Sequence, residues 1–488
     1  MSALQVYDKF FIGGKWVDPS GTETLDVVSP STEEVIGRVP VSTEADIDHA
    51  VAAARAAFDN GPWPHMSPAE RADIIAAISA ELTVQMDDIA KLISSENGCP
   101  YNFSIMGQVY AATAVLDYYA GLAREFPFES LRAGMLGPTL VRQEGVGVCA
   151  GIIPWNVPMF ITALKLAPAL ASGSTIVLKP APETPLDSYV LAEILEKVGV
   201  PEGVVNIVPA GREVGEHLVR HADIDKVSFT GSTVAGRKIG AICGEQLKRV
   251  TLELGGKSAA IICSDADMDA VLPQLMPAAL MNNGQACVAQ TRILAPRSRY
   301  DEIRDALADA VGAYKVGDPL DPETECGPLV AERQRERVEG YIAAGRAEGA
   351  TVVVGGGRPA GFDTGFYVEP TLFADVDNSM KIAQEEIFGP VLSLIPYDDD
   401  ADAVAIANDS DYGLSGSVWS ADLDRAVDIA RQVRTGTYQV NMLAMDFSSP
   451  FGGFKNSGLG RELGPEGLSA YLESKSIAMP AGSEPKLQ

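Results

Sequence analysis

Residues 175–208 read TIVLKPAPETPLDSYVLAEILEKVGVPEGVVNIV, and this stretch decides the fold class. Residues 175–178 are a short β-branched run, 185–198 have helical periodicity, and 204–208 are a second β-branched run. Strand, helix and strand in that order make the βαβ unit of a doubly wound parallel sheet, where ligands lie at the carboxyl ends of the strands. Working outward, residues 147–153 and 226–229 read as further strands punctuated by glycine and proline. The second half repeats this texture. Strands are expected over 291–294, 351–354, 391–396 and 416–419, and helices over 300–314, 331–348, 401–408 and 423–434. The fold class is therefore α/β, with a second α/β domain following the first. Ahead of both, residues 44–58 and 68–92 carry the apolar spacing of packing helices.

The chain has 488 residues, enough for several domains at roughly 100–200 residues each. Hydrophobic residues make up 46% and charged residues 21%, which excludes a disordered or fibrous chain. Lys plus Arg number 38 against 66 for Asp plus Glu, a net charge of −28, so neither nucleic acid nor a membrane surface is expected as a partner. Residues 1–11 lack the basic start and apolar core of a signal peptide, and the expected location is cytoplasmic. The uncharged run 145–164 contains Pro154, Asn156 and Pro158, which suit buried strand and loop better than lipid. Six cysteines are scattered without close pairs, which favours reduced thiols over disulfides or zinc ligation. The four histidines are equally scattered, so no metal site is expected.

Four loops carry candidate chemistry. Residues 229–236, Phe-Thr-Gly-Ser-Thr-Val-Ala-Gly, follow a strand and open a helix, resembling a phosphate-cradling glycine turn, although such turns also occur without a ligand. Lys179 ends an apolar strand and could meet phosphate or ribose oxygens, or be a surface lysine before a proline-rich turn. Glu253 is a lone carboxylate in an apolar stretch followed by two glycines. Burial would raise its pKa toward that of a general base, whereas a salt bridge would make it structural. Cys287 is delivered by the polar loop Asn282-Asn-Gly-Gln-Ala-Cys and is either a reactive thiol or a packing residue.

Together these loops resemble the aldehyde dehydrogenase superfamily along essentially the whole chain. The resemblance rests on Pro154-Trp-Asn156, Lys179-Pro180, Phe229-Thr-Gly-Ser232, Glu253-Leu-Gly-Gly-Lys257, Gly284-Gln-Ala-Cys287, Glu385-Glu-Ile-Phe-Gly-Pro390 and Pro450-Phe-Gly-Gly-Phe-Lys455 with Ser457-Gly458. It implies a Rossmann-like cofactor domain (1–125 and 144–254), an α/β catalytic domain (255–460) and a small β oligomerisation arm (126–143 and 461–488) that assembles a homodimer or homotetramer. It also implies oxidation of a small-molecule aldehyde to a carboxylic acid with NAD, or alternatively NADP. Cys287 would form a thiohemiacetal and then a thioester, Asn156 would stabilise the oxyanion, and Glu253 would activate the hydrolytic water, with Glu462 second as a base. Cofactor contacts are implied for Lys179 at the adenosine ribose, Trp155 beside the adenine end, Gly231 and Ser232 at the pyrophosphate, Leu254 after the Glu253 strand, and Glu386, Phe388, Gln334 and Arg337 at the nicotinamide ribose and ring.

One position departs from the family pattern. Many NAD-using members carry glutamate three residues after the lysine, where it repels a 2′-phosphate; here Pro182 stands there and Glu183 is displaced by one. A thiol hydrolase using Cys287 and Glu253, or an inactive structural member, would leave the cofactor residues without a role, and no histidine stands beside Cys287 in its motif. Val157, Pro158, Met159, Phe160, Ile161 and Leu164, with Ala286, Val288 and the loop 442–449, imply an apolar substrate tunnel, unless they pack within the helix layer. Apolar aliphatic, terpenoid or aromatic aldehydes are the expected substrates.

Overall fold

The computed structural model describes residues 4–487; residues 1–3 and 488, the outer ends of the expected cofactor domain and arm, lie outside the described residues. The first sheet has eight strands, with five parallel ones at its centre: Arg249–Glu253, Lys226–Thr230, Val148–Ile152, Thr175–Lys179 and Val205–Ile207. Antiparallel strands close both edges, Gly458–Leu459 on one side and the pair Phe10–Ile12 and Lys15–Val17 on the other. Every residue of Val148–Ile152 and Thr175–Lys179 is buried, as the continuous β-branched runs require of strands covered on both faces.

Chain order fixes where a site can form. From Val148–Ile152 the chain moves outward through Thr175–Lys179 and Val205–Ile207, then returns to Lys226–Thr230 on the other flank of its starting strand. That reversal opens a crevice between the carboxyl ends of two neighbouring strands. Trp155 and Asn156 follow one of them, and Gly231 and Ser232 follow the other.

The second sheet runs Thr351–Val354, Thr371–Ala374, Val391–Tyr397, Arg292–Pro296, Ala259–Ile262, Gly416–Trp419 and Gln439–Val440, with only the first antiparallel to its neighbour. Four of its strands and the helices Tyr300–Gly312 and Glu332–Ala347 lie close to the expected spans, while Ala259–Ile262, Thr371–Ala374 and Gln439–Val440 were not expected as strands. Residues 254–258 carry the chain from Glu253, the end of one sheet, to Ala259, the start of the other.

The third sheet is antiparallel: Leu472–Ala478, Pro138–Gly145 and Glu129–Ala133, in that order. Residues 461–471, expected with it, lie elsewhere. Leu463, Leu468 and Tyr471 are buried in one core with residues of the helices Ala111–Glu125 and Pro158–Ser172. A three-stranded sheet offers these apolar side chains no comparable covered interior. The expected helix over 68–92 is two helices, Pro68–Val84 and Met86–Asn97, parted at Gln85 where the backbone leaves the helical region.

Candidate active site

Cys287 sits on a loop that its own sequence bends. The helix Met268–Leu280 ends shortly before Asn282, Asn283 and Gly284, which have φ of 52°, 60° and 73°. Asparagine tolerates this left-handed region better than most side chains. A Cβ on Gly284 would lie 2.1 Å from the Gly389 carbonyl oxygen, so only glycine fits. The loop is then pinned. Asn283 donates to the carbonyls of Gly98 (2.9 Å) and Pro328 (2.8 Å) and accepts from the Gly327 N–H at 2.7 Å.

Asn156 is joined to this loop from across the crevice. Its amide nitrogen donates to the Gln285 carbonyl at 2.9 Å, and its own carbonyl accepts from Asn282 at 2.8 Å and Asn97 at 2.9 Å. A side-chain amide carries two N–H donors, so one remains beyond the Gln285 bond. The strand end approaches equally closely: a Cβ on Gly256 would meet the Cys287 carbonyl oxygen at 2.4 Å. The glycines of Glu253-Leu-Gly-Gly thus let that segment pass against the nucleophile loop.

The half-buried Cys287 thiol is pushed up to about 12 by desolvation, with Glu386 and Glu253 adding to the shift; the N–H groups of Cys287 and Val288 oppose it. Glu253 is buried, and neither carboxyl oxygen has a hydrogen-bond partner among the described residues. Burial drives its pKa well above the ordinary carboxyl range, Glu462 adds to this, and Lys165 and Arg461 oppose it. Behind it, Lys165 donates to Glu462 at 2.7 Å and to the Thr230 hydroxyl at 2.7 Å, with all three of Lys165, Glu253 and Glu462 buried. Sequence reading missed Lys165. The signal was present, since it is the single charge in Pro158–Ser172.

On the other wall, the Glu386 carboxyl accepts from the Gly256 N–H at 2.9 Å. Desolvation pushes it to about 7, opposed by that N–H, Arg337 and Lys257. Gln334 donates to the Phe388 carbonyl at 2.7 Å, and Arg337 donates to the carbonyls of Glu386 (2.6 Å) and Ile387 (3.2 Å). Both therefore hold the backbone of the 386–388 loop, behind the ribose position implied by the resemblance. Trp155 does not stand at an opposite end from Phe388: their rings meet edge-on with centroids 5.3 Å apart. With Phe388 at the nicotinamide, Trp155 stands at that end too, and the contact joins the two walls of the crevice.

The remaining cofactor candidates line the first sheet. Lys179 is buried and donates to the carbonyls of Pro180 (3.0 Å) and Ala210 (2.8 Å); desolvation lowers its pKa to about 8. Ser232 caps Thr233–Glu245, its hydroxyl accepting from the Ala235 N–H at 3.3 Å. A Cβ on Gly231 would strike the Phe229 ring at 2.6 Å, and one on Gly236 would strike the buried Leu254 side chain at 2.4 Å. These glycines bring the helix start close to the strand ends, and first-turn N–H groups there suit a pyrophosphate. A dinucleotide fits this donor set. Among the described residues, no group of three or more His, Cys, Asp or Glu is placed to hold a metal, and no helix is long and apolar enough to cross a membrane.

Comparison with known proteins gives one answer. The profile of the aldehyde dehydrogenase family matches residues 16–477. Geranial dehydrogenase of Castellaniella defragrans is 48% identical over 472 residues, covering 96% of this chain and 98% of the relative. The crystal structure of a Mycobacterium tuberculosis aldehyde dehydrogenase complexed with NAD+ is 53% identical with a TM-score of 0.97, covering 99% and 100% of the two chains. Aldehyde dehydrogenase C of Pseudomonas syringae, solved with NAD+ and octanal, is 41% identical with a TM-score of 0.95, again covering 99% and 100%.

Proposed function

The chain belongs to the aldehyde dehydrogenase family, and from that premise we propose that it oxidises an apolar aldehyde to its carboxylic acid with NAD. The observation that carries this reading is the convergence of Cys287, an Asn156 amide with a spare donor, and a buried Glu253 carboxyl without a partner, all at the crevice of the parallel sheet.

With its pKa near 12 the Cys287 thiol is protonated at neutral pH, so attack on the carbonyl carbon requires a base. Glu253 is that base, with the Glu462–Lys165 pair behind it as second acceptor. The thiohemiacetal oxyanion is met by the spare Asn156 N–H and the Cys287 backbone N–H; one such donor typically lowers the barrier by ~3 kcal/mol. Lys179, Ser232 and the 386–388 loop would hold NAD with Trp155 beside it, and the bound cofactor would supply the hydride acceptor needed to take the thiohemiacetal to the thioester. Glu253, after releasing the thiol's proton to solvent, removes a proton from water as it attacks the thioester; Cys287 leaves as thiolate and takes that proton back. A partnerless buried carboxyl suits this work, because nothing competes for the incoming proton.

Pro182 leaves NADP as an alternative cofactor. For the substrate, the rings of Phe160 and Phe447 lie 6.2 Å apart, while Met442 and Met445 are exposed on the facing loop. Asp446 spends its carboxylate on the hydroxyls of Ser448 and Ser449. Val157, Met159, Phe160, Ile161 and Leu164 are all buried in the helix-layer core, with Phe447 packed against it, so the side chains left open to a substrate are Phe447 and the methionines. A relative named for geranial and another solved with octanal support an elongated apolar aldehyde. The three-stranded sheet is assigned as the arm of a homodimer or homotetramer. The test is reduction of NAD by purified protein with hexanal, benzaldehyde and succinic semialdehyde, followed at the reduced-nicotinamide band. Hexanal and benzaldehyde are expected to exceed the semialdehyde in kcat/KM; the semialdehyde as best of the three refutes the apolar lining, and no reduction with any refutes the activity.

A further inference from the structure

Glu183 and Arg333 form an ion pair that bridges the two halves of the crevice. Glu183 lies on the loop after Thr175–Lys179, four residues beyond Lys179; Arg333 lies in the first turn of Glu332–Ala347, beside Gln334. The same two walls are linked deeper in. Thr184 donates to the Trp155 carbonyl at 3.4 Å, the Trp155 ring meets Phe388, and the Phe388 carbonyl accepts from Gln334. The contacts make a closed ring: the 183–184 turn, Trp155, Phe388, Gln334, Arg333 and back to Glu183. Trp155 and Phe388 form its inner side and the ion pair its outer side, with the Arg333 side chain 60% exposed and that of Glu183 22% exposed.

We infer that Arg333 and Glu183 are positioning residues that latch the first-sheet wall to the helix carrying Gln334 and Arg337, and so set how long the dinucleotide stays bound. This rests on the NAD reading above. A ligand held between Lys179 on one wall and Glu386 on the other leaves when the walls part, and parting them opens the ring at its weakest member. That member is the ion pair: it is solvent-screened, whereas Trp155, Phe388 and Gln334 are held by ring packing and a partly buried hydrogen bond. Glu183 is the acidic residue displaced by one place from the position Pro182 occupies, and the displacement leaves it facing an arginine across the crevice.

The test is NADH dissociation from the full-length protein, read by stopped-flow fluorescence on displacement with excess NAD, with no aldehyde present. Arg333→Gln and Glu183→Gln are each expected to speed dissociation about two- to fivefold, the span of an exposed ion pair. The double variant should be no faster than the faster single one. The exchanged pair Glu183→Arg with Arg333→Glu should return to within about twofold of the parent, and 1 M salt should speed the parent while leaving the variants nearly unchanged. Single variants at the parent's rate, or effects that multiply in the double variant, overturn the latch while leaving the NAD reading intact. A parent protein that binds no NADH overturns both.

Discussion

Glu253 and Glu386 both act through space on Cys287, yet the fold treats them in opposite ways. Glu253 ends a strand of the first sheet, fully enclosed and without a hydrogen-bond partner, and its pKa is driven well above the carboxyl range. Glu386 precedes a strand of the second sheet, is half-buried, and is tied to the Gly256 N–H with Arg337 and Lys257 opposing its shift. The difference separates two tasks. A carboxyl that must take and release protons is kept free of fixed donors, whereas one that must present its oxygens to a ligand in a steady position is fixed in place.

The largest effect should come from removing the group both carboxylates serve. Cys287→Ala is expected to lower turnover at least about ten-thousandfold while leaving NADH binding by fluorescence titration unchanged. Next, Glu253→Gln should cut steady-state kcat roughly a hundred- to ten-thousandfold, the span of a lost general base, with little change in NAD affinity. Glu386→Gln should do the reverse, weakening NAD binding about tenfold as a charge-assisted hydrogen bond is lost, with a smaller effect on thioester hydrolysis. Equal responses to the two substitutions would erase the distinction between them.

The pH dependence sharpens the same contrast. Glu386, at about 7, is a carboxylate above that pH and protonated below it, so NAD affinity should fall as pH drops from 8 to 6 and Glu386→Gln should flatten the profile. Lys257, lowered to about 7 by burial, gains charge over the same range and makes the transition shallow. Glu253 is raised, so deacylation should increase with pH as it ionises, and this limb should vanish in Glu253→Gln. The smallest effect is at the mouth of the cofactor site: Pro182→Glu should widen the preference for NAD over NADP about fivefold by adding a charge beside the 2′ position. Unchanged relative efficiencies would assign the choice to another residue.

Much of this was legible in one dimension because the chemistry sits in short contiguous signals. The turn Asn-Asn-Gly before Cys287 and the glycines after Glu253 announce left-handed backbone and close approach, and the structure uses them so. Most of the parallel strands were equally plain from their β-branched runs, but Arg249–Glu253, Ala259–Ile262, Thr371–Ala374 and Gln439–Val440 were not among those expected. What stayed hidden depends on residues far apart in the chain. Lys165 and Glu462 are separated by 297 positions, and only the packed fold makes their pairing necessary, since either charge alone would be buried unpaired. That Gln334 and Arg337 brace the 386–388 backbone stayed hidden, because the sequence carries no sign of where their donors go. The small sheet of Gln5–Val6, Thr24–Val28 and Val35–Pro40 was missed because its strands are brief and half exposed, with no clean alternation to read.

The central claim, that a partnerless Glu253 drives thioester hydrolysis, is tested most directly by rapid mixing of Glu253→Gln with NAD and hexanal. With Glu462 left to take the thiol proton, the account predicts a burst of reduced cofactor that is slower than the parent's but still approaches one per Cys287, followed by turnover slowed at least about a hundredfold, with the acyl group recoverable on Cys287 by mass spectrometry. Burst-free kinetics at the parent's steady-state rate, with no acyl-enzyme detected, would contradict it.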